Sequence, residues 1–174
     1  LTKKQASPTS PIGTKSNTTP RGSYLDALNP LTVALGVSNA SFVAQAVDWI
    51  PESLFAIVKA AHHHKGFSFV RILQRCPEWL PKLHEAEMQE PDSVQLLHHE
   101  NALQLSPGLS KVYKNQLKHD PLDIHRAREI ASSTDVVPVG ILYQNRDIPC
   151  YADTRHTDIL RTPDIVRKGL ETQA

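Results

Sequence analysis

Two cysteines and two runs of histidines are the side chains in this sequence best suited to chemistry. Cys76 stands just past an apolar run and directly before Pro77, the kind of strand-end position where α/β proteins place functional groups. A thiolate there could bind a metal or act as a nucleophile, although a lone cysteine is ordinarily a small buried apolar residue. Cys150, beside Pro149, falls in a polar segment and is more weakly placed. Two cysteines this far apart cannot complete a metal site by themselves. His62, His63 and His64 are consecutive; on a helix their side chains point about 100° apart and cannot share one ion as residues one turn apart can. They read as solvent-facing histidines that complement the carbonyl end of a helix, and His98–His99 reads the same way. No serine has the glycine pattern of a nucleophile elbow around it, so a hydrolase is not indicated.

The elements that must position these groups centre on residues 29–76. Asn29 before Pro30 is a helix start, with a side chain able to accept from a free amide of the first turn and proline at the first helical position. Leu31, Val33, Ala34 and Leu35 carry a short helix ending near Gly36. Phe42 to Val47 is apolar except for Gln45, as in a strand buried on both faces. Pro51 and Glu52 open the clearest helix, with Leu54, Ile57, Val58 and Ala61 on one face and Phe55 widening the stripe. Gly66 is expected as its left-handed stop. Phe67 to Leu73 reads as a second buried strand, which makes the three elements a parallel strand–helix–strand unit. Further on, a helical turn is expected near Leu83 to Met88, and Ser93 to Leu105 fits either strand or helix. A second helix follows Asp120, Pro121 and Asp123, with Leu122, Ala127 and Ile130 inward. A last strand runs from Val136 to Tyr143, and a short helix is expected from Pro163 to Lys168. The fold class is therefore α/β, a parallel sheet with helices on both faces.

Composition narrows the function. The 174 residues, 40% of them hydrophobic, suffice for one domain with a core. Lysines and arginines number 19 against 18 acids and are not clustered, which argues against a nucleic-acid footprint. The longest apolar runs are too short to span a membrane, and no signal peptide opens the sequence. Two cysteines fit a reducing, cytoplasmic setting. Fourteen of the first twenty-three residues are Ser, Thr, Pro or Gly, composition that reads either as a disordered linker or as an ordered loop lining a site. The start at Leu1 reads as that of an N-terminally truncated piece.

Several segments carry a resemblance. Leu1-Thr2-Lys3-Lys4-Gln5-Ala6-Ser7-Pro8-Thr9, Asn29-Pro30-Leu31, Ala40-Ser41-Phe42-Val43-Ala44, and His64-Lys65-Gly66-Phe67-Ser68 through Cys76-Pro77 follow one another as in beta subunits of 2-oxoacid:ferredoxin oxidoreductases. Asp120-Pro121 with its helix, and Pro138-Val139-Gly140-Ile141-Leu142-Tyr143, are similar to the C-terminal part of that subunit. The segment from Leu80 to Lys118 matches weakly.

The resemblance implies the C-terminal part of a thiamine diphosphate-binding fold, in an enzyme that oxidatively decarboxylates a 2-oxoacid. Its acyl group passes to coenzyme A, and its electrons pass through an iron-sulfur cluster to ferredoxin. It also implies that Leu1 and Thr2 lie beside the cofactor and that Lys3 faces the substrate, where a cation favours 2-oxoglutarate over pyruvate. Cys76 becomes the fourth thiolate of a 4Fe-4S cluster whose other ligands lie in the N-terminal half. The magnesium-binding Gly-Asp-Gly segment of the family is absent from this sequence. Lys4 stands where glycine is usual, and Glu78-Trp79-Leu80 replaces the usual residues after the cysteine. The organisation implied is a cofactor- and substrate-side loop over 1–28, an α/β portion over 29–145 and a tail over 146–174 that contacts an alpha subunit. A second reading keeps the α/β half-sheet as a non-catalytic interaction domain.

Overall fold

The computed structural model describes residues 5–76, 82–100, 102–104, 106–155 and the single positions 169 and 171. Leu1, Thr2 and Lys3, and the helix expected over 163–168, lie outside the described residues.

In chain order the elements are α1 (Pro30–Gly36), β1 (Phe42–Val47), α2 (Pro51–His63), β2 (Ser68–Leu73), α3 (Glu85–Gln89), a 3₁₀ turn at Pro91–Ser93, β3 (Val94–His98), α4 (Pro107–Val112), β4 (Gln116–Lys118), α5 (Ile124–Ser132), β5 (Val137–Gln144) and α6 (Tyr151–Thr154). The strands form one sheet in the order β2-β1-β5-β3-β4. β1 and β2 are parallel, in register from Phe42 opposite Ser68 to Val47 opposite Leu73. β3 is parallel to both β4 and β5. The β1–β5 pair is antiparallel, with a register shift between Val43 and Ala44. The sheet is thus mostly parallel, with one antiparallel seam at its centre.

Helices cover both faces, as expected. One face packs Leu31, Ala34 and Leu35 of α1 and Ala127, Ile130 and Ala131 of α5 against Val43, Leu97 and Leu142. The other packs Ile50 and Ile57 against Phe42, Ala44, Ala46, Val94, Leu96, Val139 and Ile141. The helices α1 and α5 cap each other. Asn29 accepts from the Leu31 amide at 3.0 Å and donates its own Nδ2 to the Ala131 carbonyl at 2.7 Å. Arg128 returns two donors to the Leu35 carbonyl, at 3.2 and 2.9 Å. Terminal carbonyls that a helix cannot satisfy internally are therefore satisfied by the neighbouring helix.

The loop before α1 is ordered by its own backbone. Gly13 N–H donates to Ser23 at 2.7 Å, Ser23 N–H to Thr14 at 3.0 Å and Leu28 N–H to Pro8 at 2.8 Å. This favours the ordered-loop reading of its Ser/Pro/Gly composition over the linker reading.

Three expectations need correction. β1 is buried along its whole length, but β2 is half-exposed except at Leu73, because it forms the sheet's edge and lacks a second neighbour among the described residues. Leu122 and Phe55, expected to face the core, are 63% and 70% exposed, since Leu122 precedes α5 and Phe55 lies on the outer side of α2. Gly66 does not end α2, which closes at His63 with His64 already extended. Its φ of 142° instead allows a close approach, for an added Cβ would lie 2.5 Å from Ser41 Oγ and 3.1 Å from His64 Nε2.

Candidate functional site

Because β1 and β2 run parallel, their carboxyl ends meet on one side of the sheet and bring Asp48, Arg75 and Cys76 into one neighbourhood. The Asp48 carboxylate accepts from the Arg75 backbone N–H at 3.2 Å and from Arg75 Nε at 3.1 Å, and the Asp48 N–H donates to the Leu73 carbonyl at 3.0 Å. The pair is half in solvent, where such a bridge contributes about 0–1 kcal/mol. Its effect is positional: it ties the residue before Cys76 to the end of β1. Cys76 itself is a free, half-buried thiol.

Trp49 and His84 stack at 5.8 Å between ring centroids, and His84 Nδ1 lies 3.4 Å from Glu87 Oε1. The Trp49 indole nitrogen is buried without a hydrogen-bond partner among the described residues. This donor belongs to the residue after Asp48. The thiol and the buried N–H donor thus belong to residues that follow the carboxyl ends of the neighbouring strands β2 and β1, and these are the side-chain types that would bind an iron-sulfur cluster and donate to its sulfides. The described residues contain no group of three or more metal-ligating side chains, so Cys76 can supply one ligand and not a complete site.

The opposite end of the sheet holds the remaining candidates. Cys150 borders a cavity of about 740 Å³ with Gly66, Phe67 and Tyr151. Phe67 precedes β2 whereas Cys76 follows it, and the six residues of β2 span about 20 Å. Cys150 therefore cannot join Cys76 at one cluster.

A second cavity, of about 410 Å³, is lined by His63, His64, Lys65, Gln144 and Arg146 with Ala60, Ala102 and Ile141. His62 and His63 lie in the last turn of α2 and are exposed, as expected of solvent-facing histidines. His64 differs: it is half-buried, its Nε2 lies 2.9 Å from Ser41 Oγ, and that hydroxyl donates to the Phe67 carbonyl at 3.1 Å. Because the hydroxyl proton is committed to Phe67, Nε2 is the donor to Ser41. Burial, and second the charge of Arg146, hold the His64 imidazole below its ordinary pKa.

Sequence reasoning passed over Asp48, Arg75 and Arg146. Asp48 and Arg75 could have been found as opposite charges just past two strands expected to be parallel neighbours. Arg146 had no comparable signal.

These features have counterparts in known proteins. Residues 109–157 match the family defined by the C-terminal region of the pyruvate ferredoxin oxidoreductase beta subunit. A 2-oxoacid:ferredoxin oxidoreductase subunit beta from Sulfolobus is 31% identical over 164 residues, covering 88% of this chain and 47% of that protein. The 2-oxoglutarate oxidoreductase subunit KorB of Mycobacterium tuberculosis is 44% identical over 77 residues, covering 44% of this chain and 20% of its own length. A solved 2-oxoglutarate:ferredoxin oxidoreductase from Magnetococcus marinus, with 2-oxoglutarate, coenzyme A and succinyl-CoA bound, superposes with a TM-score of 0.67 at 27% identity, over 95% of this chain and 53% of that one. The chain spans about half the length of the Sulfolobus and Magnetococcus proteins. The chain thus carries the C-terminal domain of the pyruvate ferredoxin oxidoreductase beta-subunit family at residues 109–157 and is similar over most of its length to beta subunits of 2-oxoacid:ferredoxin oxidoreductases.

Proposed function

We propose that this chain forms part of the beta subunit of a thiamine diphosphate-dependent 2-oxoacid:ferredoxin oxidoreductase, converting 2-oxoglutarate or pyruvate to its acyl-CoA and carbon dioxide with electrons delivered to ferredoxin. The observation that carries the reading is the position of Cys76: a free, half-buried thiol following the carboxyl end of a parallel strand, with the preceding residue clamped to the next strand by Asp48. Cys76 supplies one thiolate to a 4Fe-4S cluster, and Asp48 with Arg75 orients the segment that carries it. Leu1 and Thr2 lie beside the cofactor diphosphate, and Lys3 pairs with the second carboxylate of 2-oxoglutarate. The magnesium ligands come from outside this sequence. When bound, thiamine diphosphate provides the electron sink for decarboxylation, and the cluster provides one-electron transfer.

The test is assembly of the complete beta subunit with its alpha subunit, followed by ferredoxin reduction dependent on 2-oxoacid and coenzyme A. The proposal expects activity with 2-oxoglutarate. It also expects that Lys3→Ala raises KM for 2-oxoglutarate more than for pyruvate, because only the former offers a second carboxylate to the cation. An assembled complex with no 2-oxoacid-dependent reduction would favour the non-catalytic interaction domain. Equal changes in the two KM values would remove Lys3 from the substrate pocket.

A further inference from the structure

At the end of the sheet remote from Cys76, the cavity beneath the end of α2 carries a charge pattern that the redox reading does not use. Lys65 and Arg146 line it, together with His63 and His64, and no carboxylate does. Neither Lys65 nor Arg146 forms an ion pair among the described residues, where the cationic partners of acids are Arg75, His84, Lys118 and Arg126. The carbonyl end of α2 opposes an anion with roughly half a negative charge, which two full cations outweigh.

The site is also fixed in shape. The Asn145 N–H donates to the Ser41 carbonyl at 2.8 Å, which secures the residue before Arg146 to the start of β1. Ser41 Oγ in turn holds His64 at 2.9 Å. Gly66, which borders the other cavity, leaves the room that the Ser41–His64 contact needs, since a side chain there would meet both residues. Cations held around a preorganised concavity bind phosphate through charge-assisted hydrogen bonds, with arginine offering a planar fork.

We propose that this cavity is a binding site for a phosphate group, free or carried on a nucleotide, held by Lys65 and Arg146 beside a His64 ring that Ser41 fixes in place. Phosphate fits a cavity of about 410 Å³ with room for an attached group. The site is separate from Cys76 and does not depend on the cluster, so it can be tested without redox activity.

The experiment is equilibrium dialysis of the full chain against inorganic phosphate and, separately, ADP, at low and moderate salt. One saturable site that weakens with salt is expected. Arg146→Gln and Lys65→Gln should each weaken it about tenfold, the scale of one charge-assisted contact. Lys15→Gln, in the loop before α1, should leave it unchanged. Lys65 and Arg146 are exposed, and circular dichroism of both variants checks that the fold persists. Tighter binding of ADP than of phosphate identifies a nucleotide carrier, whereas equal binding identifies the free ion; either outcome supports the proposal. Absence of saturable binding, native affinity in both variants, or an equal loss in Lys15→Gln overturns it.

Discussion

Replacing Gly140 with alanine tests the packing between β3 and β5. Gly140 has a φ of 144°, and an added Cβ would stand 2.7 Å from Leu97 Cβ and 2.9 Å from the Leu97 carbonyl oxygen. Carbon atoms normally rest about 3.5–4.0 Å apart, so β3 and β5 would have to separate by most of an ångström. Neither Leu97 atom is the free end of a flexible side chain, and relief must come from backbone. Overpacking of this kind costs about 1–3 kcal/mol, and a non-glycine residue at such a φ adds about 1–3 kcal/mol. The sum, roughly 2–6 kcal/mol, is a large part of the typical stability of about 5–15 kcal/mol. With a urea m-value of about 2 kcal/mol/M, the unfolding midpoint should fall by roughly 1–3 M. Gly36→Ala provides the control of opposite sign. It closes α1, has no atom within 4 Å of the added Cβ and no positive φ, so alanine should stabilise by about 0.4–1 kcal/mol through the unfolded chain. Equal midpoints for Gly140→Ala and the native chain in urea denaturation would refute the close β3–β5 approach.

Two further outcomes follow from hydrogen bonding and burial. Aspartate caps a helix as well as asparagine does, yet Asn29→Asp should destabilise by about 1–2 kcal/mol, because it replaces the Nδ2 donor to the Ala131 carbonyl with an acceptor; unchanged thermal stability would mean that Asn29 acts as a cap alone. The depressed pKa of His64, caused first by burial and then by Arg146, makes the unfolded chain bind a proton that the folded chain resists. Its contribution is therefore complete above the ordinary histidine pKa of about 6.5 and is lost as pH falls through the lower folded value. Lys65, Arg146 and His63 are the charged or titratable groups that share its cavity. Native stability should decline as pH falls below about 6.5, and His64→Gln should flatten that decline; equal slopes would contradict the assignment.

The sequence was most legible where one local pattern decides the structure. Asn29-Pro30 predicted both a helix start and its cap, and the observed α1 uses both. Phe42–Val47 and Pro51–His63 fall where periodicity and the proline placed them. The failures have a shared cause in tertiary position. β2 is apolar apart from Ser68 and Arg71, and its place at the sheet edge depends on which strands find it. β4 is three residues of polar sequence, Gln-Leu-Lys, and becomes a strand only by pairing with β3. The α4 start was readable and passed over: Ser106 before Pro107 is a cap, and its hydroxyl accepts from the Leu109 amide.

The site divides in the same way. Adjacency argued that His62, His63 and His64 cannot share an ion, and it could not show that His64 reaches back across 23 residues to Ser41. The reading of Cys76 came from resemblance, and the structure adds the clamp by Asp48 and Arg75 on the residue before it.

The most direct measurement is the iron content and visible absorbance of the assembled complex carrying Cys76→Ser, beside the same complex carrying Cys150→Ser. Cys76 and Cys150 flank opposite ends of β2, so the account predicts loss of iron and of cluster absorbance in the first and native values in the second. Native iron and an unchanged spectrum in Cys76→Ser would contradict it and return Cys76 to a small half-buried side chain at the end of a strand.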